Sequence, residues 1–271
     1  MSQPDTLSAM AVDVLTTADG RTKARKTKAY AKTWQASREG NTPLAIGASA
    51  PPLTPARPSA PELRSPRDMP KRKPGSPAGR QAMLHAIAHI ELNAVDLHWD
   101  IIARYAHIPM PMGFYDDWVR AASEEANHFD LLCDCLEAMD SHYGALPAHA
   151  GMWRAAEDTA DDLLGRLAIV PMVLEARGLD VTPGMITLFE KAGEAQTVAA
   201  LKIIYAEEVG HVAYGSKWFN FCCGRENIDP KDVFHGLVRR YFKGGLKPPF
   251  NEEKRADAGL PPDFYWPLVD D

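Results

Sequence analysis

The chain has 271 residues, 45% hydrophobic and 24% charged, with a net charge of −6. That is enough apolar material for a sizeable core in one or two domains, and no apolar run approaches the ~18–20 residues of a membrane span. The charge is unevenly spread. Residues 1–80 carry 14 Lys/Arg against 6 Asp/Glu, a net of +8, while residues 81–271 carry 16 against 30, a net of −14.

The opening MSQPDTLSAM has neither a basic start nor an apolar stretch of the secretory type, and a cytoplasmic location is expected. The four cysteines, Cys133, Cys135, Cys222 and Cys223, stand as C-x-C and C-C. Neither spacing fits a zinc knuckle or a redox pair, so reduced thiols are expected. A basic arm on an acidic body suggests nucleic acid or anionic lipid as a partner. The simpler reading is that the arm lies on its own acidic body, and no aromatic-basic RNA signature accompanies it.

Along the chain, TLSAMAVDVL and GRTKARKTKAYAKTW predict two short helices within 6–37. Ten of the 22 prolines fall in residues 41–80. That composition predicts an extended strap, wrapped on the body through Leu44, Ile46, Leu53 and Leu63. Long helical patterns then cover 79–107, about 113–141, about 148–178 and about 182–224. The last is taken to start at Thr182-Pro183, which reads as an N-cap followed by Pro. Asp229-Pro230 opens a fifth helix, KDVFHGLVRRYF, and residues 244–271 read as an irregular tail. The expected domains are an arm (1–78), a helical bundle (79–225) and a C-terminal helix and tail (226–271). The fold class is all-α.

The inward faces of the four long helices follow from i, i+3, i+4, i+7 spacing. Each apolar stripe is interrupted by a glutamate: Glu91, Glu125, Glu175 and Glu208. The second and fourth add an imidazole one turn later, His128 and His211, in EEANH and EEVGH. Four buried carboxylates repel one another and are costly unless neutralised. Two divalent metals supply the opposite charge, and imidazole nitrogens suit iron or manganese. A glutamate from each of two helices and Glu-x-x-His from each of the other two is the known ligand pattern of ferritin-like di-iron and di-manganese bundles. We therefore expect two metal ions, iron with manganese as the alternative, held by Glu91, Glu125, His128, Glu175, Glu208 and His211.

Nearby residues are weighed against that site. His98, seven residues after Glu91, and Tyr205, one turn before Glu208, are candidate catalytic groups, though each is equally read as a satisfied core residue. His85 and His89 share a face off the Glu91 stripe. Tyr214 follows His211 by one turn, Arg177 either pairs behind Glu175 or caps its helix, and Pro171 predicts a kink before Glu175. Asp96 and Asp162 are candidates to orient the two motif histidines.

The words HAIAHIELNAVDLHWD, EEANHFDLL, LEARGLDVTP and EEVGHVAYGSKWF, with SPRDMP and PPFNEE, resemble a bacterial branch of the ferritin-like superfamily, the domain-of-unknown-function family 455. The branch is similar to the di-iron tRNA hydroxylases. Asn127 and Gly210 stand where many relatives carry a basic residue before the motif histidine. The resemblance implies a ferritin-like four-helix bundle with a di-metal centre. The expected function is an O2-dependent di-metal oxidoreductase of hydroxylase type, with an electron donor and an unspecified substrate. An RNA substrate is suggested only by the resemblance and the arm. The alternatives are an iron-handling ferroxidase or storage protein, di-manganese peroxide chemistry, and a non-catalytic bundle with structural metals. A monomer or small homo-oligomer is expected.

Overall fold

The computed structural model describes residues 4–40, 43–70, 73–149 and 151–269. The expected strap and tail also include residues 41–42, 71–72 and 270–271, which lie outside the described residues. The protein is all-α, 68% helix. The chain divides into two compact units, Met1–Arg154 and Ala155–Asp271. Among the described residues no helix is long and apolar enough to cross a membrane.

In the first unit, α1 (Leu7–Leu15) and α2 (Gly20–Glu39) match the two short helices expected. Their starts are fixed by side-chain caps, Thr6 Oγ1 accepting from Ala9 N and Asp19 Oδ1 from Thr22 N. Next, α3 (Pro77–Arg104) opens on a Ser76 cap with Pro at its first position, and α4 (Met112–Glu137) packs against it. The basic face of α2 lies on α4. Arg21 pairs with Asp130 and Asp134, and Arg38 with Asp116, while Lys28 also reaches Asp130. Exposed pairs of this kind contribute only ~0.2–1 kcal/mol each. The deeper anchors are Trp34, Trp99 and Lys23. The first two indoles donate to Asp116 and Thr27, and Lys23 is buried against Asp96.

The proline-rich segment is extended, as its composition predicts, but two of its expected apolar anchors are not anchors. Leu53 is 86% exposed and Leu63 41%. Main-chain groups hold it instead. Ala45 and Ile46 carbonyls accept from Leu7 and Ser8 N–H, Ala56 N–H donates to Leu15, and Leu63–Arg64 (β1) pairs in parallel with Ala148–His149 (β2). Arg104 and Trp153 side chains donate to the Pro52 and Leu53 carbonyls. Proline removes donors but keeps its carbonyl, which is why the strap is held mainly as an acceptor.

The second unit departs from expectation in where its helices begin. Residues 148–162 supply β2 and the short α5 (Arg154–Asp158), and α6 (Leu163–Ile169) starts at an Asp162 cap. A π-helical turn, Val170–Glu175, follows and runs into α7 (Ala176–Lys191). Thr182-Pro183 is therefore not a helix start; Pro183 lies inside α7. A proline there leaves the carbonyl four residues back without its helical donor. That carbonyl, Leu179 O, accepts from Asn251 Nδ2 at 3.2 Å, so the interruption is repaired from the tail. The true break is at Gly193, φ +76°, and α8 (Ala195–Glu226) follows, ending on Asn227 in the left-handed region.

Asp229 caps α9 (Pro230–Tyr241), as expected. The tail forms α10 (Glu252–Asp257) and α11 (Pro262–Tyr265). It is seated by Arg255, which pairs with Asp180 through two nitrogens at 2.7 and 2.9 Å and lies between the Phe250 and Tyr265 rings.

Candidate functional site

Each unit carries its own cluster of carboxylate and imidazole. In the first, Glu91 sits on α3 and Glu125 and His128 on α4. Their spacing of i, i+3 on one helix turns both α4 side chains toward α3. All three are buried, and their ligand atoms lie within 4.8 Å of one another. His128 Nδ1 is 3.1 Å from Glu91 Oε2 and 3.4 Å from Glu125 Oε2. Burial first, and then the neighbouring Glu125 carboxylate, push the Glu91 carboxyl well above the usual range, against the opposing pull of His128. No lysine or arginine among the described residues is within ion-pair reach of Glu91.

His98 joins this cluster. Its Nε2 lies 3.5 Å from Glu125 Oε1, and its ring stacks on Trp118 at 5.3 Å. The sequence places His98 on the Glu91 face; the structure adds that it addresses Glu125.

In the second unit, α8 presents Glu208 and His211 by the same i, i+3 spacing, with His211 Nδ1 3.6 Å from Glu208 Oε1. Glu175, the last residue of the π-helical turn, offers a ligand atom within 4.8 Å of one on His211. The turn's position has a sequence cause. Pro171 lacks the N–H of a regular helix, and the wider i→i+5 turn accommodates the interruption. It also has a packing partner in Gly215, one turn beyond His211. The Pro171 ring occupies the space a Cβ at 215 would need. The kink expected from Pro171 is thus a wide turn ending on the candidate ligand, and Gly215 is the residue sequence reading missed.

The other candidates find different work. Tyr205 Oη accepts from Asn251 Nδ2 at 2.7 Å, and Arg177 donates to the Lys247 and Pro249 carbonyls, so both grip the tail. Tyr214 lies beside His211, ring centroids 6.5 Å apart. Asp96 is held by Lys23, while Asp162 caps α6 and accepts from Tyr241. Neither is seen orienting a motif histidine. His85 and His89 hold the 142–149 segment. His85 Nε2 accepts from Gly144 N, and His89 meets Tyr143 Oη and the His149 carbonyl. All four cysteines are buried and reduced.

The fold and these clusters define an all-helical protein with two buried glutamate–histidine groups suited to divalent metal. The chain belongs to the family described as "Protein of unknown function (DUF455)", whose model matches residues 16–266. It is also 39% identical over 217 residues to a protein of Haemophilus influenzae called "Uncharacterized protein", covering 76% of this chain and 73% of that one. No solved structure matches the chain.

Proposed function

We propose that this protein is a ferritin-like di-metal oxidoreductase of the O2-dependent hydroxylase type. In this reading Glu91, Glu125, His128, Glu175, Glu208 and His211 hold two iron ions, or two manganese ions. One observation carries it: the pattern is built twice. In each unit, separately, a lone glutamate on one helix comes together with the Glu-x-x-His of the next long helix. Four carboxylates with two imidazoles balance two divalent cations in charge and supply the oxygen and nitrogen ligands that iron and manganese accept. Bound iron(II) supplies electrons for the reduction of dioxygen, chemistry that belongs to the cofactor.

The chain's own residues set the surroundings. Glu91 and Glu125 are carboxylates with no basic side chain to neutralise Glu91, which suits a cation. His98 bears on Glu125 and holds its orientation. Trp118, Phe129, Met172 and Leu201, all buried, keep the ligands dry. The paired arm gives no support to an RNA substrate, since Arg21, Lys28 and Arg38 already meet acids on α4.

The test is metal content per chain, by elemental analysis, of protein purified without chelator. About two iron or manganese ions per chain are expected, and Glu175→Ala and His211→Ala should each lower that content. Reductant-dependent O2 uptake by the iron form separates an oxidoreductase from a bundle with structural metals. A chain that stays empty after anaerobic reconstitution with Fe(II) and Mn(II) overturns the assignment.

A further inference from the structure

The face of α3 turned away from Glu91 and His98 borders a cavity of about 30 Å³ within the first unit. Its polar lining comes from α2 (Lys23), the strap (Arg57), α3 (His89, Asn93 and Asp96) and the loop after α4 (Tyr143). Pro58, Pro61 and Leu92 complete the wall. Roughly 10–15 Å³ admits one water, so this space takes about two waters or the head of a small organic acid.

Two features show that the wall is not self-satisfied. First, Asn93 is 3% exposed, and its Oδ1 has no hydrogen-bond partner among the described residues. The amide nitrogen is committed to the His89 carbonyl at 2.6 Å, which fixes the oxygen as the free end. A buried acceptor without a donor costs about 1–3 kcal/mol. Second, Arg57 makes no hydrogen bond or ion pair among the described residues, although it lines the cavity. The other charges on the wall cancel, because Lys23 and Asp96 are paired with each other. One guanidinium is left in excess, and its fork matches a carboxylate.

We propose that this cavity binds a small α-hydroxy carboxylate, its carboxylate on the Arg57 guanidinium and its hydroxyl donating to Asn93 Oδ1. The pairing answers both features at once: an anion for the excess cation and a donor for the orphan acceptor. Acetate meets only the first. Phosphate meets the charge but is bulkier and, as a dianion, gives Asn93 no donor. Arg57 enters from the extended strap, so occupancy would also tie that strap to α2 and α3. The site shares no residue with the proposed metal ligands and stands or falls without them.

The experiment uses the full chain and follows thermal unfolding and amide NMR shifts on titration with sodium glycolate. Acetate, phosphate and chloride at matched ionic strength are the comparisons. Glycolate should saturate, with acetate about tenfold weaker, as expected for one lost hydrogen bond at a buried site. Shifts should centre on residues 57, 93 and 143. Arg57→Gln, on a half-exposed strap position that does not carry the core, should weaken glycolate at least about tenfold. Asn93→Ala should remove the preference for glycolate over acetate. Absence of saturable binding, equal affinity for glycolate and acetate in the unaltered chain, tighter binding of phosphate, or an unaffected Arg57→Gln variant would each overturn the proposal.

Discussion

A Cβ added to Gly215 would lie 2.5 Å from both Cβ and Cγ of Pro171. The two residues are each other's packing partner, and the contact couples α8, with its Glu208 and His211, to the wide turn that ends on Glu175. Neither atom of the clash is the end of a flexible chain, since the pyrrolidine ring is rigid. Gly215→Ala should therefore push the turn aside rather than be absorbed. Overpacking of this kind costs about 1–3 kcal/mol, read as a lower midpoint in urea unfolding. If Glu175 is a ligand, the same variant should also bind less metal per folded chain. A Gly215→Ala protein with unchanged stability would mean the turn has freedom the geometry does not show.

Asn251 repairs the break that Pro183 makes in α7, and the two should be thermodynamically coupled. Asn251→Ala removes donors from the Leu179 carbonyl and Tyr205 Oη, for an expected loss of about 1–3 kcal/mol. Replacing Pro183 by Ala restores an N–H at the position from which a regular helix supplies the Leu179 carbonyl. In the double variant the loss from Asn251→Ala should then shrink, by about 1 kcal/mol in a double-mutant cycle. Strict additivity would show that the carbonyl is satisfied by water instead.

That repair also explains what could be read from the sequence and what could not. The helical stripes, the four glutamates and the two Glu-x-x-His words were legible because period and spacing are local properties. So were the Asp229-Pro230 start and the resemblance to the family. Thr182-Pro183 misled because a cap followed by proline is also a local signal, while the group that cancels it lies about seventy residues away at Asn251. The strap shows the same limit. Its extension followed from proline content, but its anchors are carbonyls, and side-chain hydropathy at Leu53 and Leu63 carries no information about those. Gly215 gave no signal at all, since a glycine in a helix looks like a propensity defect until its neighbour is known.

The α1–α2 pair should loosen in acid through Asp13. Burial alone would raise its carboxyl, but hydrogen bonds from Lys26 and Tyr30 outweigh burial, and the net shift is downward from 3.8. A carboxylate whose folded value is depressed contributes stability above its unfolded value, here about 3.8, and loses it as pH falls through the folded one. Asp13→Asn should thus cost about 1 kcal/mol at pH 7. The gap to the parent chain should narrow below about pH 4. A gap of constant size from pH 7 to pH 2.5 would show that Asp13 acts by shape and not by charge.

Glu91 and Glu125 set stability against metal binding. Both are buried, their ligand atoms lie within 4.8 Å of each other, and Glu91 has no basic partner among the described residues. Without a cation the pair is a source of repulsion inside the first unit. Glu91→Gln keeps the shape, removes one of the two carboxylates and leaves an amide that His128 can still meet. Metal-free Glu91→Gln protein should therefore be more stable than the metal-free parent, by about 1–2 kcal/mol, the common gain when a strained functional group is relaxed. The same change deletes a candidate ligand, so added Fe(II) or Mn(II) should raise the parent's melting temperature and the variant's far less. The opposite signs of the two effects are the diagnostic. A glutamate that merely packs would lose stability in both states, and a metal-independent rise in both would mean that Glu91 is strained for some reason other than a cation.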